Sequence, residues 1–381
     1  MKAALLTLSL ALPAPTAGLW HRARGRDIRY TSVGGYFLQD DPSTNAAGFD
    51  YAQHNFGLMD RRYATDETFD PHGTKSQWQR FEKWLHHLNH NNCGKSRDTR
   101  FKVLFFGRHG QGYHNVAESF YGTPAWNAEA LTPGRFVRGL KCYWAELEGN
   151  GTISWADALL TPDGFAEAQK ARAFYETLRE QQRMPHFETY YSSPLRRCIQ
   201  TANATFATLQ TPEQHPFAPT IKEGFREDIS IHTCDRRSKR SELETLVPWW
   251  RFEAGFAEDD ELWEGDRGRG ESPEHQLARS KAVLDDVFTH DDATWISVTS
   301  HSGQIAALLK ALNHRLFSLS TGQIIPVLVE AELIPPQPRP SYPAFTPEAT
   351  CNEPPVTSLA RQGCVCPSSP TSSAPSPRVY M

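Results

Sequence analysis

Three stretches of this 381-residue sequence share one design, and that design narrows the fold more than anything else in it. "KVLFFGRHG" from Lys102, "FETYYSSPLRRCIQTA" from Phe187 and "WISVTSHSGQIAALL" from Trp295 each begin as a short apolar run. Each run then breaks at small or charged residues, and the last two continue into a helical pattern. Strands are expected over 101–106, 186–191 and 295–299, with a further one near 324–329. Helices are expected over 164–182, 195–208, 273–288 and 303–314. Ser272 reads as the N-cap of the 273–288 helix, with Pro273 at its first position. Short apolar strands alternating with helices imply an α/β domain, a three-layer α/β/α arrangement around a mostly parallel sheet.

Around that domain the sequence divides unevenly. Residues 1–18, "MKAALLTLSLALPAPTAG", have a lysine, an apolar run too short to span a bilayer, and then small residues. That grammar predicts a signal peptide and a secreted protein, with a cytoplasmic chain as the alternative. Residues 19–100 read as an irregular, ordered extension packed on the core. Thr74 and Gln77 fit a capping box opening a helix to about Leu88. His86, His87 and His90 near its end read as a solvated helix end rather than a metal site. The phosphate-type chemistry below falls in 101–333. Within it, residues 228–271 interrupt the alternation and read as an inserted cap over one sheet edge. Residues 334–381 are dominated by Pro, Ser and Thr and are expected to be disordered.

Bulk charge excludes some functions. The formal net charge is -4 and the pI about 6.4, so nothing suggests nucleic acid as a partner. The seven cysteines form no CxxC pair, so neither a zinc nor a redox motif is present. Any anion must be held by a local cluster. The strand ends supply one: Arg108 and His109, Arg197, and His301, with Glu227 in "IKEGFREDIS". Ligands of open α/β sheets sit at the carboxyl ends of strands, and helix starts there favour an anion. The simplest ligand of two arginines and two histidines so placed is a phosphate. Ser193 lacks a nucleophile-elbow context and reads as a turn into a helix. His114 faces substrate or is packed, and His232 leans toward a substrate contact.

"RHGQGYHN" resembles the R-H-G-x-x-x-x-N signature of the histidine phosphatase superfamily, in its phosphoglycerate mutase-like branch. "LTPDG", "SSPLRRCIQTA", Glu227 and "VTSHSG" match its other landmarks in order, over about residues 101–330. "GYFLQDD" and "HTCDRR" are similar to segments of fungal proteins of that family. The resemblance implies His109 as the nucleophile that becomes phosphohistidine, and Glu227 as acid and base. It implies Arg108, Arg197 and His301 as the phosphate clamp, with Asn115 as a further contact, and no metal or other cofactor. A small phosphorylated metabolite is the implied substrate, with no nucleic-acid or membrane partner. Hydrolysis of a phosphomonoester is the first expectation. A phosphoglycerate mutase-type isomerase and a non-catalytic phospho-ligand binder are the alternatives. Gly112 and His114 stand where cofactor-dependent mutases of the family show Ser and Trp, which weighs against the mutase.

Overall fold

The computed structural model describes residues 25–90, 98–123, 126, 130–132, 135–137, 140–141, 143–350, 358–359 and 363–364. The proposed signal peptide lies outside them. Among the described residues no helix is long and apolar enough to cross a membrane.

Strand β2, Thr99–Arg108, is the axis of the sheet. Its run from Phe101 to Phe106 is buried throughout, as expected of a strand covered on both faces. β7, Trp295–Ser300, lies parallel to it and is buried at every position. β3, Thr189–Ser192, continues the parallel set on the far side of β7. Next come β4, Thr220–Ile221, and β5, Arg251–Phe252, both parallel to their neighbours. On the other side β8, Ile324–Ile334, runs antiparallel to β2. β1, Asp27–Ser32, runs antiparallel to β8 and closes the edge. The order is therefore β1-β8-β2-β7-β3-β4-β5, with β8 alone reversed. Parallel neighbours need crossovers, and the helices provide them.

Helices α1 (Gln77–His90), α3 (Pro162–Gln182) and α4 (Arg196–Phe206) pack together on one layer. α6, Pro273–His290, and α7, Ser302–Ala311, pack against each other in another. In chain order α2 (Tyr113–Tyr121) follows α1 and α5 (Arg240–Leu246) follows α4. Aromatic side chains fasten α1 and α3 to the sheet. The Phe105 ring lies 6.2 Å from Trp78 of α1 and 5.0 Å from Phe187, which in turn lies 5.2 Å from Tyr175 of α3. The caps follow the sequence closely. Ser272 accepts from the His275 N–H, and Thr161 accepts from the Gly164 N–H.

Four expectations are corrected. The extension is not merely packed on the core, because Asp27–Ser32 is an edge strand of the main sheet. The box opening α1 is Ser76 with Gln79, not Thr74 with Gln77: each side chain bonds the other's backbone N–H, at 3.2 and 3.1 Å. The Thr74 N–H is instead held by Asp70 at 2.6 Å. The inserted segment adds the outer strand β5 to the sheet rather than only covering an edge. Disorder does not begin at residue 334, since β9, Phe345–Pro347, pairs with β6, Arg269–Glu271. Those tail residues find a ladder partner in the insertion, which outweighs their proline-rich composition. The later tail lies largely outside the described residues.

The insertion is fastened by buried charge. Arg226 is fully buried and grips Asp260 with both terminal nitrogens, at 2.7 and 2.6 Å. Arg237 bonds Glu223 at 2.6 Å and several carbonyls of residues 238–259. Arg226→Met should cost about 3–5 kcal/mol in urea unfolding, because it strands the Asp260 carboxylate without its partner. The double variant Arg226→Met/Asp260→Leu should recover most of that loss. A single-variant cost below about 1 kcal/mol would put this pair among the weak surface bridges instead.

Candidate active site

The ends of β2, β3 and β7 converge, as the sequence pattern requires. The Arg108 N–H donates to the Gln323 carbonyl at 2.9 Å and the His109 N–H to Ser300 at 3.0 Å. The next turn is held as firmly. Gly110 N–H donates to Thr201 Oγ1 at 2.9 Å and Gln111 N–H to Glu167 Oε2 at 2.8 Å. A Cβ at Gly110 would lie 2.3 Å from the Gly164 carbonyl oxygen. That glycine therefore makes room for the first turn of α3. Gly107, by contrast, meets only ordinary contacts, the nearest being Ile324 at 3.5 Å.

His109 is buried, with 1% of its surface exposed. Its Nδ1 lies 2.7 Å from the Gly110 carbonyl oxygen. A carbonyl only accepts, so Nδ1 carries the proton and Nε2 keeps its lone pair. Burial holds the ring well below the ordinary histidine pKa, and the Arg197 and Arg108 guanidiniums add to the effect. The Gly110 bond pulls the other way and is outweighed. The result is a neutral imidazole with a free nitrogen beside two cations. His301 lies 5.1 Å from it, ring to ring.

Arg197 is the centre of the cluster, with 1% of its surface exposed. Its Nε donates to His301 Nδ1 at 3.2 Å, Nη1 to the Cys234 carbonyl at 2.6 Å, and Nη2 lies 3.4 Å from Asp235 Oδ1. Because His301 Nδ1 accepts, its Nε2 carries the proton and donates to Ser193 Oγ at 2.8 Å. Burial, then Arg197 and His109, hold His301 neutral too. Ser193 is thus more than a turn residue, since its hydroxyl oxygen accepts from the proton that Arg197 directs to His301 Nε2. Arg108 is half-buried and anchored by one nitrogen on the Leu319 carbonyl at 2.8 Å. Its Nε is buried without a partner.

Glu227 sits at the start of α7. Its carboxylate accepts from the Gln304 N–H at 2.8 Å and lies 3.3 Å from the Gly303 nitrogen. A Cβ at Gly303 would stand 2.5 Å from Glu227 Oε1, so the small residue after "HS" is what lets the carboxyl dock there. It is mostly buried, with protein atoms around it on most sides. Burial raises its pKa, and Asp235 adds to the rise. Arg197 and the backbone bonds oppose and do not cancel it. The carboxyl is therefore readier to hold a proton than its two neighbouring arginines would suggest.

The structure brings Arg108, His109, Arg197, Glu227 and His301 together from five separate segments. Asn115 lies on the same turn, but its Oδ1 accepts from the Gly112 N–H at 3.0 Å and caps α2. His114 is buried beside His109, ring centroids 5.2 Å apart. Its Nδ1 has no partner and faces the bare Cα of Gly112, where a Cβ would stand 2.6 Å away. The Gly112 and His114 departures are therefore one departure, since the ring needs the glycine. Residues not singled out from sequence include Asp235 as an Arg197 partner and Cys198, whose thiol contacts His301 at 3.3 Å. Only "HTCDRR" signalled Asp235. His232, Cys234 and Asp235 have ligand-type atoms within 4.8 Å of one another. Asp235 there serves Arg197 and also accepts from Ser230 Oγ at 2.6 Å.

The family model described as Histidine phosphatase superfamily (branch 1) matches residues 144–321. That span holds Arg197, Glu227 and His301, and His109 lies ahead of it. The chain is 44% identical to the "Probable phosphoglycerate mutase" of Arthroderma benhamiae, over 86% of this chain and 91% of that one. It is 34% identical to "Phosphomutase-like protein 3" of Candida albicans, over 80% and 81%. Among solved structures, the ecdysone phosphate phosphatase from Bombix mori in complex with tungstate matches 64% of this chain and 95% of its own. Identity there is 15% and the TM-score 0.34.

Three neutral buried histidines make stability depend on pH. Unfolded, each takes a proton near pH ~6.5. Folded, His109, His114 and His301 resist protonation to well below that. The unfolded chain then binds more protons as pH falls, so their contribution is present above pH ~6.5 and lost below it. His114→Gln should flatten the slope of unfolding free energy between pH about 6 and 5 by about 1 kcal/mol per pH unit. Urea titrations at several pH values measure this. An unchanged slope would mean that His114 is protonated in the folded chain.

Proposed function

Because the chain belongs to the histidine phosphatase superfamily, we propose that it hydrolyses small phosphomonoesters through a phosphohistidine on His109. The observation that carries this is the state of His109: buried, Nδ1–H committed to the Gly110 carbonyl, and Nε2 free beside Arg108 and Arg197. A neutral imidazole among paired donors is what a phosphoryl group needs on both sides, a lone pair to attack it and cations to hold its oxygens.

The chemistry then follows. The phosphoryl oxygens lie against Arg108, Arg197 and His301. The Nε2 lone pair forms a bond to phosphorus as the ester P–O bond breaks. The departing alkoxide takes the proton of the Glu227 carboxylic acid. Phosphorylated His109 is cationic, and the Gly110 carbonyl steadies it at Nδ1–H. In the second step the Glu227 carboxylate takes a proton from water, whose oxygen attacks phosphorus while the N–P bond breaks. Phosphate leaves, and both His109 and Glu227 regain their starting states.

The fungal relatives' names point to a mutase, which shares the first step. That reading requires the phosphoenzyme to return its phosphoryl group to the substrate before water arrives. Two observations support hydrolysis instead. Glu227 is not sealed from solvent, so water can reach the base. Gly112 and His114 replace the residues that mutases of the family show. Free phosphate against isomerised ester separates the two readings.

His109→Ala should abolish turnover of an aryl phosphate and remove the acid-labile label left by a radioactive substrate. Wild-type turnover in that variant would sink the mechanism. Glu227→Gln should slow esters of poor leaving groups more than 4-nitrophenyl phosphate, whose leaving group hardly needs the proton. Equal slowing would take Glu227 out of the acid role.

A further inference from the structure

The hydrolase reading fixes where the alcohol part of the substrate must lie, and that side of the site has a definite character. Glu227 protonates the alcohol oxygen, so the alcohol leaves on the Glu227 side of the phosphate. The group that acts on Glu227 from that side is Asp235, which lies 3.4 Å from Arg197 and ends the turn His232–Asp235; we take this turn as the wall. His232 is 6% exposed. The Trp126 ring lies edge-on to it at 5.8 Å, and Trp263 Nε1 donates to its carbonyl at 3.2 Å. His114 stands on the His109 side of the same wall.

Among the described residues, this wall presents imidazoles and indoles. Among the described residues, every Arg and Lys from Arg226 to Lys281 is in an ion pair, save Arg251 on the outer strand β5. Arg226 and Arg237 are buried and bonded to Asp260 and Glu223. Arg236, the nearest in sequence to His232 and Asp235, is bonded to Glu148 at 2.6 Å and lies over Trp263 at 5.1 Å. Arg108 and Arg197 belong to the phosphate. A carboxylate on the alcohol would meet Asp235 and Glu227 with nothing to offset it, and burial there would be costly.

We infer that the alcohol side of this site accepts uncharged alcohols and rejects phosphorylated carboxylic acids, with His114, His232 and Trp126 forming the selective wall. This rests on the hydrolase reading and sharpens it. His114 suits the role, because no bond of its own fixes which ring nitrogen carries the proton. It can donate to or accept from a hydroxyl as the ligand requires. The inference also makes phosphoglycerate, an acid, a poor fit to a chain whose relatives carry its name.

The test measures phosphate release by the purified full chain from matched pairs: phenyl phosphate against 4-carboxyphenyl phosphate, and glycerol 3-phosphate against 3-phosphoglycerate. The carboxylated member should show kcat/KM lower by about tenfold or more, although the carboxylated phenol is the better leaving group. Equal or faster turnover of the acids overturns the inference while leaving the hydrolase reading intact. Isomerisation of 3-phosphoglycerate with no phosphate released from any ester overturns the hydrolase reading itself. His232→Lys should narrow the ratio by supplying a cation, and His232→Gln should keep it. A ratio unmoved by lysine in a folded variant removes His232 from the wall, and the wild-type pairs decide the class if that variant does not fold.

Discussion

Arg197 is the constraint on which the rest of the site depends. A guanidinium this deeply buried is tolerable only if its donors are met and its charge is answered. Three donors are met within the protein: by the His301 ring, the Cys234 carbonyl and the Asp235 carboxylate. Those contacts span three segments that are distant in sequence, so placing one cation sets the relation between β7, α4 and the inserted turn. They also determine chemistry elsewhere. Since Arg197 takes His301 Nδ1, the opposite nitrogen must carry the proton toward Ser193. Its charge helps keep His109, His114 and His301 neutral. One side chain thus acts as tether, tautomer selector and field source.

The same field creates a difficulty at Glu227, which must hold a proton to serve as an acid. Two cations nearby would drain it. The structure meets this with burial and with Asp235, a second carboxylate that repels negative charge on Glu227. Asp235 therefore acts with opposite signs on its two neighbours, answering the charge of Arg197 and discouraging that of Glu227. The backbone N–H groups at the start of α7 work against it, since they favour the carboxylate. A carboxyl balanced between such influences can give a proton in one step and take one in the next, which two-step hydrolysis asks of it.

Much of this was legible in the sequence, and what was missed has physical reasons. The runs Phe101–Phe106 and Trp295–Thr299 announce central strands because both faces are buried, so every residue but Lys102 is apolar or small, and the buried Lys102 meets the Asp291 and Ala293 carbonyls. The residues that end them fall together because parallel strands share a carboxyl edge. Edge pairing is different. Asp27–Ser32 carries the polar alternation of a half-solvated strand, and its partner lies at the other end of the chain. Phe345–Pro347 likewise pairs only because the insertion offers a free strand. Local pattern cannot carry such non-local choices. The same holds for Arg197 and Asp235, since nothing in "SSPLRRC" says which carboxylate will answer the charge. Nor does the sequence tell that Gly110 makes room for the Gly164 backbone.

The insertion shows how structural charge can become specificity. Residues 228–271 carry more acidic than basic side chains, yet the stretch "HTCDRRSKR" within them could pass for an anion-binding loop. In the fold Arg237 within it, and Arg226 just ahead of it, are buried and are consumed by Asp260, Glu223 and backbone carbonyls. Buried pairs of this kind contribute little net stability, because desolvation offsets much of the attraction. Their effect is positional: they fix the turn His232–Asp235 against the site and leave it with neutral rings. A loop that held itself by apolar packing could have kept an arginine free for the substrate. This one holds itself by its arginines, and so the field at the alcohol side comes from carboxylates. The same ion pairs that make the segment rigid would thereby exclude acidic substrates, with no residue dedicated to refusing them.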